Sequence, residues 1–203
     1  HMTVPSPNPL DRTPVALVEA GCARDPDAPT FTFVDIGRDG ALVETTRSYR
    51  QLRERGGRFA AALAAEGMTA GDSFALLMPN DPEFVEAMIG SELASTVFVP
   101  IDPRTRGDRL IYMLRFTEAR GVVVSPDALP ALAEVADAVT TLEWLWVLGD
   151  TEPAAVHSLR VSRYAYTLAE AGEPPAWSGP DLERSMQFLF TSGTTGDPKA
   201  MLA

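Results

Sequence analysis

Four short apolar runs alternate with helical patterns between residues 74 and 148, and this alternation limits the possible folds more than any other feature. The runs cover residues 74–78, 97–101, 121–124 and 142–148, and apolar residues with helical spacing fill the intervals between them. Apolar strands that are each followed by a helix are what a parallel sheet covered on both faces requires. The sequence therefore predicts an α/β fold with a mainly parallel sheet flanked by helices.

The residues before this region predict an N-terminal helix and a β-hairpin. Thr13-Pro14 supplies a helix cap and a proline at the first helical position, and the helix extends to about Arg24. Two β-prone runs, at 30–36 and 41–46, flank the turn residues 37–40. We expect these elements to precede the parallel sheet.

A long amphipathic helix follows, from a cap at Ser48 to a stop at Gly67. The Gly56-Gly57 pair inside it predicts close packing against another backbone. Further helices are predicted near residues 81–93, 106–120 and 126–139.

The region from Thr151 to Pro180 contains four prolines and no sustained apolar period, which predicts a long surface segment. Within it we expect at most a short helix near 162–171, with Trp177 packed against the body. A last strand is predicted from Met186 to Phe190.

Composition excludes several functional classes. The 203 residues carry a formal charge of −11, with a pI near 4.6, which disfavours binding to nucleic acids. The arginines between Arg47 and Arg58 predict a solvated helix face rather than a nucleic-acid surface. The single cysteine, Cys22, predicts a buried thiol and a cytoplasmic protein. Neither a membrane span nor a secretion signal is predicted.

A loop rich in threonine and glycine follows the last predicted strand. Residues 191–199 read Thr-Ser-Gly-Thr-Thr-Gly-Asp-Pro-Lys, and Lys199 is the only lysine among 17 basic residues. The hydroxyls, the backbone N–H groups and the two glycines are the parts of an anion-binding nest. Lys199 follows closely enough to reach a phosphate held there. We call residues 191–199 the phosphate loop.

The spacing in the phosphate loop differs from that of a Walker-type loop. A Walker loop has four residues between its glycines and then Gly-Lys-Ser/Thr, whereas Gly193 and Gly196 are separated by two residues and Lys199 follows Pro198. A turn without a ligand is the competing interpretation, and the run of six glycine or hydroxyl residues disfavours it.

Residues 190–199 resemble the signature loop of the adenylate-forming (AMP-binding) superfamily, which includes acyl-CoA synthetases, firefly-type luciferases and nonribosomal adenylation domains. Residues 76–84 and 97–103 resemble the early strand, helix and strand of that family. Residues 106–120 look more like acyl-CoA ligases, including the crotonobetaine/carnitine type, than amino-acid adenylation domains. The resemblance extends from about Thr13 to the end of the sequence.

The resemblance implies an ATP-dependent ligase that activates a carboxylic acid as acyl-AMP and transfers the acyl group to CoA. The implied ligands are ATP, Mg²⁺, the acid and CoA. The implied nucleotide-binding residues are Thr191, Ser192, Gly193, Thr194, Thr195, Gly196 and Lys199.

In the family, the magnesium-binding glutamate, the adenine site and the catalytic lysine follow this loop. We therefore predict that residues 3–203 are an incomplete N-terminal AMP-binding domain without catalytic or metal-binding residues of its own. The missing C-terminal portion of the enzyme would be its partner, and the fragment alone would be inactive. His1-Met2 resembles a remnant of tag removal.

Two positions depart from the family pattern, which usually has glycine after the loop lysine and glycine before the second strand. Ala200 and Ser95-Thr96 stand there. The first would matter if that position requires a positive φ, and the second is interpreted as local packing.

Other functions remain open at this point. One is an acyl-AMP ligase or an adenylation domain that loads a carrier protein. Another is a noncatalytic nucleotide-binding module, and a third is an interaction domain with an exposed sheet edge. Asp108 and Glu118 are interpreted as solvated charges near helix ends.

Overall fold

A computed structural model describes residues 13–37, 39–150, 152–177, 179, 181, 183–191 and 199–203. The described residues begin with the predicted helix and hairpin, followed by the long helix. These elements are α1 (Pro14–Arg24), β1 (Pro29–Ile36), β2 (Leu42–Ser48) and α2 (Tyr49–Ala65).

The alternating region follows and confirms the predicted α/β class. Its elements are β3 (Ser73–Leu77), α3 (Pro82–Ala94), β4 (Val97–Ile101), α4 (Gly107–Phe116), β5 (Gly121–Val124), α5 (Leu129–Val135) and β6 (Trp144–Val147). The remaining elements are β7 (Arg160–Arg163), α6 (Tyr164–Glu170), β8 (Phe188–Thr191) and β9 (Lys199–Leu202). A short 3₁₀ helix, Ala136–Ala138, continues α5.

The central sheet has five parallel strands in the order β4-β3-β5-β6-β7. From β3 the chain first moves to one side, to β4, and then crosses to the other side, to β5. Every residue of β3, β5 and β6 is buried, as expected when helices cover both faces of a parallel sheet. The order reverses at β3, which places a topological switch point between β3 and β5.

Helices cover both faces of the sheet. One face packs against α4 and α5 through a cluster that includes Leu114 and Leu132. The other face packs against α2, α3 and α6 through a cluster that includes Phe59 and Leu168. A third cluster lies under α1, and Trp177 packs against it, which confirms the predicted role of that tryptophan. No described helix combines the length and apolar character of a membrane span.

Glycines allow α2 and α3 to cross at close range. A Cβ added to Gly56 would lie 2.4 Å from Ile89 Cγ2, and one added to Gly90 would lie 2.9 Å from the carbonyl oxygen of Gly56. Real Cβ atoms do not approach other atoms this closely, so both positions require glycine. The Gly56-Gly57 prediction is confirmed, with Gly56 as the residue at the crossing.

A buried carboxylate ties the hairpin to the helices. Glu86 on α3 is fully buried and accepts a hydrogen bond from Arg47 Nε at 2.9 Å. Tyr164 Oη donates to the same carboxylate at 3.3 Å, and Arg55 Nε lies 3.6 Å away. Burial, followed by the charge of Glu86, raises the pKa of Tyr164 well above its usual value. The tyrosine therefore serves as a neutral donor.

Arg120 joins the strands at their amino ends. It donates to Asp72 Oδ2 at 2.6 Å, to the carbonyl of Gly67 at 2.9 Å and to both oxygens of Glu143 at 2.8 and 3.0 Å. The hydrogen bond from Arg120 holds the pKa of Glu143 below its usual value. These bonds connect the strand starts of β3, β5 and β6.

Three details differ from the sequence-based expectation. Arg47 does not lie on the solvated helix face, because it belongs to β2 and its side chain reaches the interior. β7 lies in the segment expected to be a surface excursion, and its residues are only partly buried because it forms an edge of the sheet. β9 was not expected, since its four residues show no strand pattern of their own.

Ser95 adopts a left-handed backbone at the end of α3, with φ 59°. This is one of the positions where the family usually has glycine, which adopts positive φ without steric cost. Thr96 is buried and hydrogen-bonded to Ser91, in agreement with the interpretation as local packing. At Ser95, the departure also costs conformational energy at a helix C-cap.

We expect Gly56→Ala to destabilise the chain, because the added methyl group overlaps Ile89. Overpacking of this kind costs about 1–3 kcal/mol. Gly57→Ala is the matched control on the same helix, since its Cβ would meet only Pro174, at 3.3 Å, and helix propensity favours alanine. Urea unfolding followed by circular dichroism measures both variants. Equal free energies of unfolding for the two would contradict the close crossing.

We expect Ser95→Gly to stabilise the chain by about 1 kcal/mol, because it relieves the left-handed strain. Ser95→Ala is the control, since alanine keeps the Cβ that causes the strain. The same urea titration compares them. A decrease in stability for Ser95→Gly would show that the left-handed cap is not the determining feature there.

Candidate phosphate-binding site

The loops after β3 and β4 form a cleft at the carboxyl edge of the sheet, next to the switch point. In open α/β sheets, ligands bind outside the carboxyl ends of the strands. The cleft is lined by Met78, Pro79, Asn80, Phe84, Pro100, Ile101, Asp102, Pro103 and Arg104. The residues that the sequence links to the family, 76–84 and 97–103, therefore meet at this edge.

The N-terminus of α3 opens beside this cleft. Asp81 occupies its N-cap position without a side-chain capping bond in the described residues, and Pro82 begins the helix. Burial, followed by the nearby carboxylates of Glu83 and Asp35, raises the pKa of Asp81. The charged form of Asp81 is therefore disfavoured at this helix end.

A carboxylate–guanidinium pair shapes the loop after β4. Arg104 Nε donates to Asp102 Oδ1 at 3.0 Å and Arg104 Nη2 to Oδ2 at 2.6 Å, while the backbone N–H of Arg104 donates to Oδ1 at 2.8 Å. The hydrogen bonds from Arg104 lower the pKa of Asp102 to about 2. The carboxylate is therefore ionised at neutral pH and holds the turn that leads to α4.

The sequence alone does not mark the Asp102–Arg104 pair as a functional feature. An aspartate that follows a strand and precedes an arginine by two residues is compatible with a turn in which the side chain bonds to the backbone. That spacing is the only local pattern in the sequence that could have indicated the pair.

β8 starts beside the edge strand β4. The backbone N–H of Phe98 donates to the carbonyl oxygen of Met186 at 3.0 Å, and Phe98 forms a parallel bridge with Gln187. β8 therefore runs in the same direction as β4. Its last residue, Thr191, lies toward the carboxyl edge of the sheet.

β8 and β9 form an antiparallel hairpin, and its paired ends carry the two ends of the phosphate loop. Phe188 pairs with Leu202, and Thr191 pairs with Lys199. The structure thus brings together Thr191 and Lys199, two of the seven predicted site residues. Ser192, Gly193, Thr194, Thr195 and Gly196 lie outside the described residues, and their ligand-binding role stays a prediction.

Ala200 follows the loop lysine where the family usually has glycine. It lies in β9 opposite Phe190, and it is not among the residues with positive φ. A strand backbone accepts alanine readily, so this departure places no strain on the backbone of Ala200.

Asp108 and Glu118 lie near the two ends of α4, and both are exposed. Asp108 is in the first turn of the helix, where the negative charge of a carboxylate interacts favourably with the helix dipole. Both positions agree with the interpretation as solvated charges.

Residues 18–202 match the family model described as AMP-binding enzyme. The chain belongs to this family. Long-chain fatty acid transport protein 6 of Mus musculus is 30% identical over 154 residues, which are 75% of this chain and 25% of that protein. Crotonobetaine/carnitine–CoA ligase of Salmonella paratyphi B is 31% identical over 160 residues, which are 76% of this chain and 30% of that protein.

The fold also resembles a solved structure, that of the anthranilate CoA ligase AuaEII in complex with anthranoyl-AMP. The TM-score is 0.80 at 21% identity, over 96% of this chain and 35% of that one. This chain therefore spans between a quarter and about a third of the length of the three proteins it resembles. The family resemblance inferred from residues 76–84, 97–103 and 190–199 is confirmed.

Proposed function

We propose that this chain is the N-terminal part of an ATP-dependent acid–thiol ligase, and that its phosphate loop holds the β- and γ-phosphates of ATP. The complete enzyme would activate a carboxylic acid as acyl-AMP and transfer the acyl group to CoA. Residues 3–203 would form an incomplete N-terminal AMP-binding domain. Membership of the AMP-binding family supports the overall chemistry.

The observation that carries the proposal is the pairing of Thr191 with Lys199 at the end of a hairpin. Because β8 runs parallel to β4, this end lies on the side of the sheet where α/β proteins bind their ligands. The loop that joins the pair contains Ser192, Thr194 and Thr195. Hydroxyl and backbone donors next to an ammonium group suit a polyphosphate.

The proposed reaction needs little covalent chemistry from these residues. The carboxylate of the substrate attacks the α-phosphorus, a new P–O bond forms, and the bond to the β-phosphate oxygen breaks, so that pyrophosphate leaves with its electron pair. The phosphate loop would orient the leaving pyrophosphate and stabilise its growing charge. Positioning and electrostatic stabilisation are large contributions in such reactions.

The other ligands are assigned to the remainder of the proposed enzyme. Within the described ranges, no group of three His, Cys, Asp or Glu side chains is placed to hold a metal ion. From the family resemblance, we propose that Mg²⁺ is bound by residues outside this chain. We likewise propose that the residues that bind CoA, and the catalytic lysine of the family, lie outside this chain. A cytoplasmic location remains a prediction, based on the single cysteine.

Replacing the only lysine tests the proposed role. In the complete ligase, we expect Lys199→Met to lower kcat/KM for ATP by about 10- to 100-fold, because charge-assisted contacts are worth about 1.5–3 kcal/mol. Exchange of labelled pyrophosphate into ATP, with a panel of carboxylic acids, measures this effect. The 203-residue chain alone is expected to show no exchange.

Arg24→Met is the matched control, since it changes the net charge equally at an exposed position in α1. Equal activity of the two variants would contradict the proposed role of Lys199. ATP binding without acid-dependent exchange would instead favour a noncatalytic nucleotide-binding module. Acyl transfer to a carrier protein and not to CoA would favour an adenylation domain.

A further inference from the structure

Within the residues that the structure describes, the β8–β9 hairpin makes backbone hydrogen bonds with the main sheet only at its base, and Phe188 and Phe190 also pack against the core cluster that contains Leu114. The backbone link is formed by Phe98 with Met186 and Gln187. From Phe188 onward, the strand partner of β8 is β9. The hydrogen bonds between β8 and β9 hold the hairpin together, but they do not fix the direction in which it leaves the sheet.

Aromatic packing against α4 supplies that direction. Phe188 and Phe190 lie on the same face of β8, because side chains alternate along a strand. The ring of Phe116, the last residue of α4, lies 6.4 Å from that of Phe188 and 6.3 Å from that of Phe190, both edge to face. The ring of Tyr112 lies 5.7 Å from Phe116 and 6.5 Å from Phe190. These distances and angles suit favourable aromatic pairs.

The opposite face of the hairpin has little support. Leu189 points to that face and is 36% exposed, and its partner Met201 is 54% exposed. The packing that can orient the hairpin is therefore concentrated on the face toward α4.

α4 is itself well fixed. Leu110 and Leu114 are fully buried in the core, and Arg115 Nε donates to the carbonyl oxygen of Ala138 at 2.7 Å. At the other end, the Asp102–Arg104 pair holds the turn before the helix. Because α4 is held rigidly, a strand that packs against it is held in a defined orientation.

Phe116 differs from the other members of this cluster in its exposure. Its side chain is 51% exposed, although it contacts both phenylalanines of β8. Exposed aromatic side chains contribute little to a hydrophobic core. The contacts of Phe116 therefore matter mainly for the hairpin and not for the sheet.

We propose that Phe116 is a positioning residue that aligns the phosphate loop by packing against Phe188 and Phe190. The inference rests on the proposed phosphate-binding function of the loop. Phe116 touches no substrate in this account and acts through β8, whose last residue begins the loop. Loss of its ring allows the hairpin to swing at its base and misplaces the phosphate donors, whereas the acid-binding part of the enzyme is unaffected.

The first experiment measures the hairpin directly in the 203-residue chain. Hydrogen–deuterium exchange, read by mass spectrometry, compares the wild type with Phe116→Ala. We expect exchange in 188–191 and 199–202 to accelerate about 10-fold, with no change in β3 and β5, because local opening is independent of global unfolding. Unchanged exchange in the hairpin would overturn the inference, and so would equal acceleration throughout the core.

Tyr166→Ala is the matched control. Tyr166 is 55% exposed on α6, which covers the other face of the sheet, and its removal should leave hairpin exchange unchanged. Phe116→Tyr keeps the ring and should restore the wild-type rate. If Phe116→Ala does not fold, Phe116→Leu replaces it with the same expectation, because leucine cannot reproduce the edge-to-face contacts.

The second experiment separates positioning from general stability. In the complete ligase, Phe116→Ala should raise KM for ATP about 10-fold and leave KM for the acid within about twofold. A displaced hydrogen-bond donor weakens the binding only of the ligand groups that it contacts. Phe116→Tyr should recover the wild-type KM for ATP. Equal changes in both KM values would overturn the positioning role.

The two experiments distinguish failure of this inference from failure of the proposed function. If Lys199→Met lowers activity with ATP but Phe116→Ala changes neither exchange nor KM, only the positioning role is wrong. If Phe116→Ala accelerates hairpin exchange while Lys199→Met has no effect on ATP, α4 orients the hairpin but the loop does not bind phosphate.

Discussion

Burial of the parallel sheet on both faces is the constraint on which the rest of the structure depends. Val122, Val123 and Val124 on β5 are fully buried, as are four of the five residues of β3. Because the faces are apolar and the ladder satisfies the backbone, polar chemistry is confined to the two ends of the strands. The close approach of α2 and α3 at Gly56 and Gly90 belongs to the same constraint, since one helix layer must cover the sheet without gaps.

The two ends of the sheet are used differently. At the amino ends, Arg120 forms ion pairs with both Asp72 and Glu143 and connects the strand starts in a compact network. At the carboxyl ends, the Asp102–Arg104 pair shapes a loop and leaves a cleft beside the switch point. The hairpin that carries Thr191 and Lys199 extends toward the second of these ends. The ion pairs fill the amino end of the sheet, whereas the carboxyl end keeps a cleft. The candidate site therefore lies at the carboxyl end.

Much of this fold could be predicted from the sequence, because long apolar runs and helical spacing report burial directly. The strands at 74–78 and 121–124 and the packing of Trp177 follow from such patterns. β7 could not be predicted, since Arg160 and Ser162 reflect an edge position that only the assembled sheet reveals. The buried contact between Arg47 and Glu86 joins residues 39 positions apart, and no local pattern encodes it. In the candidate site, the phosphate loop is a prediction from its composition, whereas the contacts of Phe116 with Phe188 and Phe190 depend on α4 and β8 meeting in space.

The most direct test of the account uses the single lysine of the chain. Amine acylation followed by peptide mass spectrometry gives the modification rates of Lys199 and of the terminal amine in one sample. If the loop binds phosphate, millimolar pyrophosphate slows modification of Lys199 several-fold and leaves the terminal amine unaffected, because the phosphates engage the ammonium group. Equal rates at Lys199 with and without pyrophosphate, up to the highest soluble concentration, would contradict a phosphate-binding role for the loop.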